Sequence, residues 1–136
     1  MNRKLIIPGI AAAILIVSTT LAADRPTQPF MRQKSAYAQG LLEGITLEKF
    51  DLVLTNALKL RDMSATNAFL ILRNPDYLTR ITNFQVSVDA LIANAKQQNQ
   101  TATFEAYVKV AENCMDCHRY FRREQFRIHN APPSGK

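Results

Sequence analysis

The feature that most constrains this chain is a Cys-x-x-Cys-His sequence near its C-terminal end, Cys114-Met115-Asp116-Cys117-His118. Two cysteines three positions apart can form thioethers with the two vinyl groups of one haem, and a histidine directly after the second is placed to bind the iron. The surrounding residues have helical periodicity, and positions i, i+3 and i+4 of a helix share one face. The spacing therefore predicts one covalent haem c lying against a helix, with His118 as iron ligand.

Three other kinds of site use the same cysteine spacing: a redox dithiol, a structural disulfide and half of a zinc site. A redox dithiol usually opens a helix, whose N-terminus lowers a cysteine pKa, whereas this motif lies well inside a helical pattern. A closed zinc site needs four ligands. Beyond Cys114, Cys117 and His118 the chain offers only His129 as a fourth. We favour haem and keep the dithiol and zinc sites as alternatives.

The first 22 residues have the pattern of an export signal. Arg3 and Lys4 give a positive start, an apolar run follows over residues 5–17, and Ala22 supplies a small residue before a cleavage site. An uncleaved membrane anchor is the alternative, since the 19 residues from 5 to 23 would just span a bilayer. Both interpretations predict a domain outside the cytoplasm, in the periplasm, where c-type haem is attached.

Charge is concentrated near the C-terminus. Without residues 1–22 the chain carries 15 basic and 11 acidic residues, a formal net charge of +4. Four of the basic residues, Arg119, Arg122, Arg123 and Arg127, follow the motif. Basic residues complement the negative end of a helix dipole and pair with haem propionates, so we do not expect nucleic-acid binding.

The expected partners of an exported haem protein are small redox proteins or membrane electron-transfer complexes.

Four apolar stripes at helical spacing predict four helices. The first runs from Phe30 to Gly44, where the glycine is expected to be the C-terminal cap. Thr46 is the expected N-cap of the second helix, with Glu48 in its first turn and an end near Asp62. The expected inward face of the second helix is Leu47, Phe50, Val53, Leu54, Ala57 and Leu58.

The third helix has the clearest start signal. Asn74 suits the cap, Pro75 the first helical position and Asp76 the first turn. Residues 64–73, which precede it, are expected to form a helical or irregular connection. The expected inward face of the third helix is Tyr77, Ile81, Phe84, Val88, Leu91, Ile92 and Ala95.

The fourth helix follows a polar stretch at residues 96–100, with Thr101 or Thr103 as its expected N-cap. Its predicted core face carries the motif, so that a haem would project between helices. That face is Phe104, Tyr107, Val108, Ala111, Cys114, Cys117, His118 and Phe121.

Four amphipathic helices with short connections bury their stripes most simply against one another. The fold class predicted is therefore all-α, an antiparallel four-helix bundle over residues 29–128 with the haem on its C-terminal helix. Residues 129–136 are expected to be a disordered tail.

The motif and the residues after it resemble those of the cytochrome c-prime (cytochrome c') family. Members of this family are exported four-helix bundles with a c-type haem near the C-terminus. In that family an aromatic residue and an arginine commonly stand three and four positions after the haem histidine. Phe121 and Arg122 hold those positions here, although tyrosine is more usual at the first. The resemblance implies that His118 is the proximal ligand, that Arg122 lies near the proximal side, and that the first helix forms the distal pocket. Bundles of this kind often form homodimers through their first two helices.

The family contains two functional types, which differ at the sixth iron position. In one type the position is empty and the protein binds nitric oxide or carbon monoxide; in the other a methionine of the first helix fills it and the protein moves electrons. Met31 is the candidate ligand, with core packing as its alternative role. Leu41 and Leu42 are candidates to shield an empty site.

The polar residues of the first helix complete the sequence-based description of the distal side. Arg32 and Lys34 are polar candidates for that side, but their helical spacing is more simply explained by exposure to solvent. No histidine occurs in the first three helices, which argues against an enzyme that needs a distal acid or base. We therefore predict electron transfer without enzymatic activity, with gas binding as the alternative.

Overall fold

The computed structural model describes residues 28–66 and 70–130. These residues form four helices: α1 (Gln28–Thr46), α2 (Phe50–Ser64), α3 (Pro75–Lys96) and α4 (Gln100–His129). Each helix packs on the next, α1 also meets α4, and the short connections make neighbours antiparallel. No strand occurs in the described ranges, so the predicted all-α four-helix bundle is confirmed.

The predicted export segment and the predicted tail lie largely outside the described residues. Residues 1–22, predicted to be the export signal or anchor, lie outside the described residues. Of the predicted tail, His129 is the last residue of α4, Asn130 follows it, and residues 131–136 are outside the description. Across the two described ranges, none of the helices has both the length and the hydropathy needed to cross a bilayer.

Among the described residues, helix α3 supplies more of the core than any other helix, on the face that the sequence predicts. The Asn74 side chain caps the helix by accepting a hydrogen bond from the Tyr77 backbone N–H at 2.9 Å, and Pro75 occupies the first turn. These features confirm the predicted start. All seven predicted inward residues are buried, namely Tyr77, Ile81, Phe84, Val88, Leu91, Ile92 and Ala95.

The junction between α1 and α2 differs from the prediction. Helix α1 continues past Gly44 to Thr46, whose hydroxyl donates to the Leu42 and Glu43 carbonyl oxygens at 3.0 Å. Thr46 therefore ends α1 and does not cap α2, which begins after Lys49. Gly44 is required for close packing, since a Cβ atom there would lie 2.7 Å from Val53 Cγ2.

The inward face of α2 is narrower than predicted. Val53 and Ala57 are buried, whereas Leu47 and Leu58 are 54% and 49% exposed. Leu47 lies in the turn before α2, because the helix starts later than the expected cap at Thr46. Glu48 precedes the helix as well, with a left-handed backbone at φ 53°.

Helix α4 is rotated relative to its predicted core face. Its N-cap is Asn99, whose side chain accepts from the Ala102 backbone N–H at 3.1 Å, so neither Thr101 nor Thr103 is the cap. The predicted core residue Phe104 is 48% exposed. The reason is that α4 packs closely along α3 and much less closely against α1. The residues of α4 that are buried are Thr103, Ala106, Val110 and Tyr120.

We expect Phe84→Ala to lower the free energy of unfolding by about 3–5 kcal/mol, because the ring is only 2% exposed and its removal leaves a cavity. Urea denaturation measures the change. Val86→Ala is the matched control on the same helix, since Val86 is 63% exposed and should change stability by under about 0.5 kcal/mol. Equal effects of the two substitutions would contradict the assigned face of α3.

We expect Gly44→Ala to destabilise the protein. Overpacking costs about 1–3 kcal/mol, more than the roughly 0.5–1 kcal/mol that alanine gains over glycine within a helix. Rotating a side chain cannot relieve the contact, because the Val53 backbone nitrogen would also lie 3.0 Å from the new Cβ. Thermal unfolding tests this against Gln39→Ala on the exposed side of α1. A melting temperature for Gly44→Ala at or above that of the control would refute it.

Candidate haem-binding site

The Cys-x-x-Cys-His motif lies in the middle of α4, on the side of the helix that borders α1. Cys114 and Cys117 are half-buried and pack against the core, while His118 is more exposed. All three residues line one cavity of about 140 Å³. The expectation that the helix would present them on one face is therefore met. The remaining lining residues are Met31, Lys34, Ile71, Tyr77 and Phe121.

The composition of this cavity fits a c-type haem. Both thiols and the imidazole reach the same space, which is what attachment of a single macrocycle requires. The other lining residues are apolar or aromatic except for Lys34, and such side chains suit the apolar faces of a porphyrin. The chain can therefore hold the haem through Cys114 and Cys117 and offer His118 to its iron, where the haem would supply one-electron chemistry.

The redox-dithiol alternative fits the structure less well. Burial raises the pKa of the Cys114 thiol, and the nearby positive charge of Lys34 opposes this effect only in part. Burial likewise raises the pKa of the Cys117 thiol. Redox-active cysteines instead have lowered pKa values, commonly at a helix N-terminus. Cys114 lies well inside α4 and lacks that aid.

The part of the chain that the structure describes does not supply the ligand cluster that the zinc alternative needs. Within residues 28–66 and 70–130, no cluster of three or more His, Cys, Asp or Glu side chains is arranged to hold a metal ion. His129 is the last residue of α4 and is not part of the cavity lining. The donor set present at the cavity is therefore two cysteines and one histidine, the set that a c-type haem uses.

Electrostatics around His118 favour the form that binds iron. Burial lowers the pKa of its imidazole, and the positive charges of Lys34 and Arg122 lower it further. Neutral imidazole is the iron-binding form of histidine. Arg122, one turn after His118, therefore has its positive charge near the imidazole, although Arg122 is exposed and outside the cavity lining.

Contacts with the start of α3 hold the motif in place. Tyr120 donates a hydrogen bond from its hydroxyl to Asn74 Oδ1 at 2.9 Å, so the cap of α3 also anchors α4. Arg80 stacks over the Tyr120 ring, 4.4 Å from its centroid. The Nε atom of Arg80 lies 3.2 Å from Asp116 Oδ2, an ion pair without hydrogen-bond geometry. A residue within the motif is thus paired with a residue of α3.

Helix α1 contributes two residues to the cavity. Met31 lines it, as its candidacy as iron ligand requires, and Lys34 lines it one turn later. The expectation that Lys34 is solvated was wrong. Its Nζ atom lies 3.8 Å from the centroid of the Phe84 ring, and burial lowers its pKa despite the nearby cysteines.

Other residues considered for the distal side do not reach the cavity. Leu41 is fully buried in the core and Leu42 is largely exposed, so neither is placed to shield an open iron position. Met115 points outward at 57% exposure, and Met63 is outside the lining.

Residues distant in sequence complete the site and carry no motif of their own. Ile71 and Tyr77 come from the segment before α3 and from its first turn, and Arg80 follows one turn later. The signal in the sequence that bears on them is the start of α3 at Asn74, which sets the positions of Tyr77 and Arg80 along the helix. Their approach to Cys117 depends on how α3 and α4 pack.

Comparison with known protein families gives a match that includes the motif. The sequence model of a family described as cytochrome C' matches residues 52–122, which is 71 of the 136 residues and includes the whole motif. No curated protein and no solved structure matches the chain. Helix α1, with Met31 and Lys34, lies before the matched range.

We expect expression together with haem-attachment machinery to give a polypeptide that stains for haem after denaturing electrophoresis. Its intact mass should exceed that of the polypeptide by one haem, because both thiols can add to vinyl groups. Replacing both cysteines, in Cys114→Ala/Cys117→Ala, should abolish the stain, whereas Met115→Ala changes an exposed side chain of the same motif and should retain it. A product with the unmodified polypeptide mass would exclude this site.

Proposed function

The chain belongs to the cytochrome c' family, and on that premise we propose that it is an exported electron carrier with one covalent haem. Haem is the cofactor that membership of this family implies. In the proposal Cys114 and Cys117 attach the haem and His118 is the proximal iron ligand. The haem supplies the one-electron chemistry, and the protein supplies attachment, axial ligands and shielding from water.

The observation that carries this proposal is the place of Met31. Its side chain lines the same cavity as Cys114, Cys117 and His118, although it comes from the other end of the chain. A thioether at the sixth position blocks the binding of small gases and keeps an axial ligand on each side of the haem. Axial ligands set both the reduction potential and the access to the iron. A filled sixth position favours electron transfer over gas binding.

Apart from Lys34, the polar groups of the cavity support a role without acid–base catalysis. Among the described residues that line it, none is a carboxylate and His118 is the single histidine. Burial raises the pKa of Tyr77 to about 12, with Cys117 adding to the effect, so this hydroxyl stays protonated near neutral pH. A distal group that exchanges protons in catalysis needs a pKa nearer the working pH. We infer that the protein acts as a carrier rather than an enzyme.

The partners and location follow from the same proposal. We place the protein in the periplasm, where its predicted export signal would direct it. Four exposed arginines, Arg119, Arg122, Arg123 and Arg127, give the end of α4 a basic surface beside the motif. A small redox protein or a membrane electron-transfer complex with an acidic surface would be attracted to this end. Pairing as a homodimer through α1 and α2 is part of the same proposal.

We expect the ferrous wild-type protein to be low spin and slow to bind carbon monoxide, because Met31 fills the sixth position. Met31→Ala should shift the ferrous spectrum toward high spin and allow rapid binding of carbon monoxide. Visible absorption and carbon monoxide titration measure both changes. Met63→Ala is the matched control, since this methionine of α2 is outside the cavity. A high-spin wild type that binds carbon monoxide as readily as the variant would favour the gas-binding function.

A further inference from the structure

Lys34 is a charged cavity residue to which electron transfer by itself assigns no role. It lies on α1 one turn after Met31, and the two side chains line the cavity together. Its Nζ atom lies 3.8 Å from the centroid of the Phe84 ring, and Phe84 belongs to the buried core. The amine of Lys34 is therefore held next to the haem motif, over the face of a buried aromatic ring.

The neighbours of Lys34 indicate which part of a haem it would meet. Lys34 interacts electrostatically with Cys114, Cys117 and His118. The two cysteines mark the edge of the haem that carries the vinyl groups, and the propionates project from the opposite edge. A side chain close to both cysteines is therefore poorly placed to pair with a propionate. Its place beside Met31 suits a second donor to the iron.

We propose that Lys34 is a second distal ligand, whose amine occupies the sixth iron position in the oxidised protein while the Met31 thioether occupies it in the reduced protein. The inference rests on the proposed electron-transfer function, in which α1 closes that position. A thioether is a soft donor that prefers ferrous iron, whereas an amine nitrogen is harder and prefers ferric iron. Because the two residues are one turn apart on one helix face, a small shift of α1 exchanges them.

The exchange balances in electrons and protons. A one-electron donor such as dithionite reduces the ferric iron to ferrous iron. The bond between iron and the Lys34 nitrogen breaks, the amine takes up one proton from solvent, and the Met31 sulfur bonds to the iron. Oxidation by a one-electron acceptor reverses each step and releases the proton. Lys34 would thereby link the ligation of the haem to its oxidation state.

The test compares ferric and ferrous spectra of the haem-loaded full-length protein with those of Lys34→Gln and Lys34→Arg. The ferric wild type should show the electron paramagnetic resonance signal of histidine and amine ligation, without the near-infrared band that arises from charge transfer between sulfur and iron. Both variants should lose the amine signal and gain the sulfur band, with unchanged ferrous spectra. Lys34→Arg keeps a positive charge that can lie over the Phe84 ring, so it separates ligation from charge and from folding.

Lys59→Gln is the matched control, because Lys59 also lies over an aromatic ring, 5.3 Å from the centroid of Tyr37, but outside the cavity. It should retain the wild-type ferric signal. A low-spin wild type that shows the sulfur band in the ferric state would overturn the role of Lys34 and leave electron transfer standing. Ferric spectra of the Lys34 variants identical to the wild type would do the same. A wild type that is high spin in both oxidation states would instead refute both proposals.

Discussion

The packing of α4 against α3 is the constraint on which the site depends. The Asn74 side chain accepts hydrogen bonds both from the Tyr77 backbone N–H and from the Tyr120 hydroxyl, so one amide oxygen starts α3 and anchors α4. Arg80 adds a second link through Asp116, inside the motif. With α4 held from the α3 side, its motif is turned toward the space that α1 borders. The orientation of the Cys-x-x-Cys-His motif thus follows from a helix cap outside the motif.

The position of α1 depends on a different contact, the close approach of α1 and α2. Gly40 and Gly44 lie one turn apart on α1, and Cβ atoms there would come within 2.7 Å of Asn56 Nδ2 and of Val53 Cγ2. This contact sets α1 close against α2. At the far end of the bundle the Gln100 side chain donates to the Ile45 carbonyl oxygen at 3.3 Å and ties the start of α4 to α1. The N-terminal half of α1 then borders the motif.

The two proposals assign separate roles to the two sides of the cavity. In these proposals helix α4 would provide attachment and the proximal ligand through residues that the family match covers, and it is anchored to α3 by Tyr120 and Asp116. Helix α1 would provide Met31 and Lys34 from outside the matched range, and it packs less closely on α4 than α3 does. Because Met31 and Lys34 lie one turn apart on α1, the proposed change of distal ligand involves a single helix.

The sequence alone determined the haem motif, the family, the helical class and the buried face of α3. Each of these depends on the spacing of residues that are near one another in the chain, or on a cap that acts within one helical turn. Only the tertiary structure decided which side of α4 is buried, why Gly44 is a glycine and where the Lys34 amine lies. Each of these depends on a partner from another helix: α3 for the face of α4, Val53 for Gly44 and Phe84 for Lys34. A helical period identifies an apolar stripe, but the packing of neighbouring helices decides which part of the stripe is buried. The same packing decides that the Lys34 amine lies over the buried Phe84 ring.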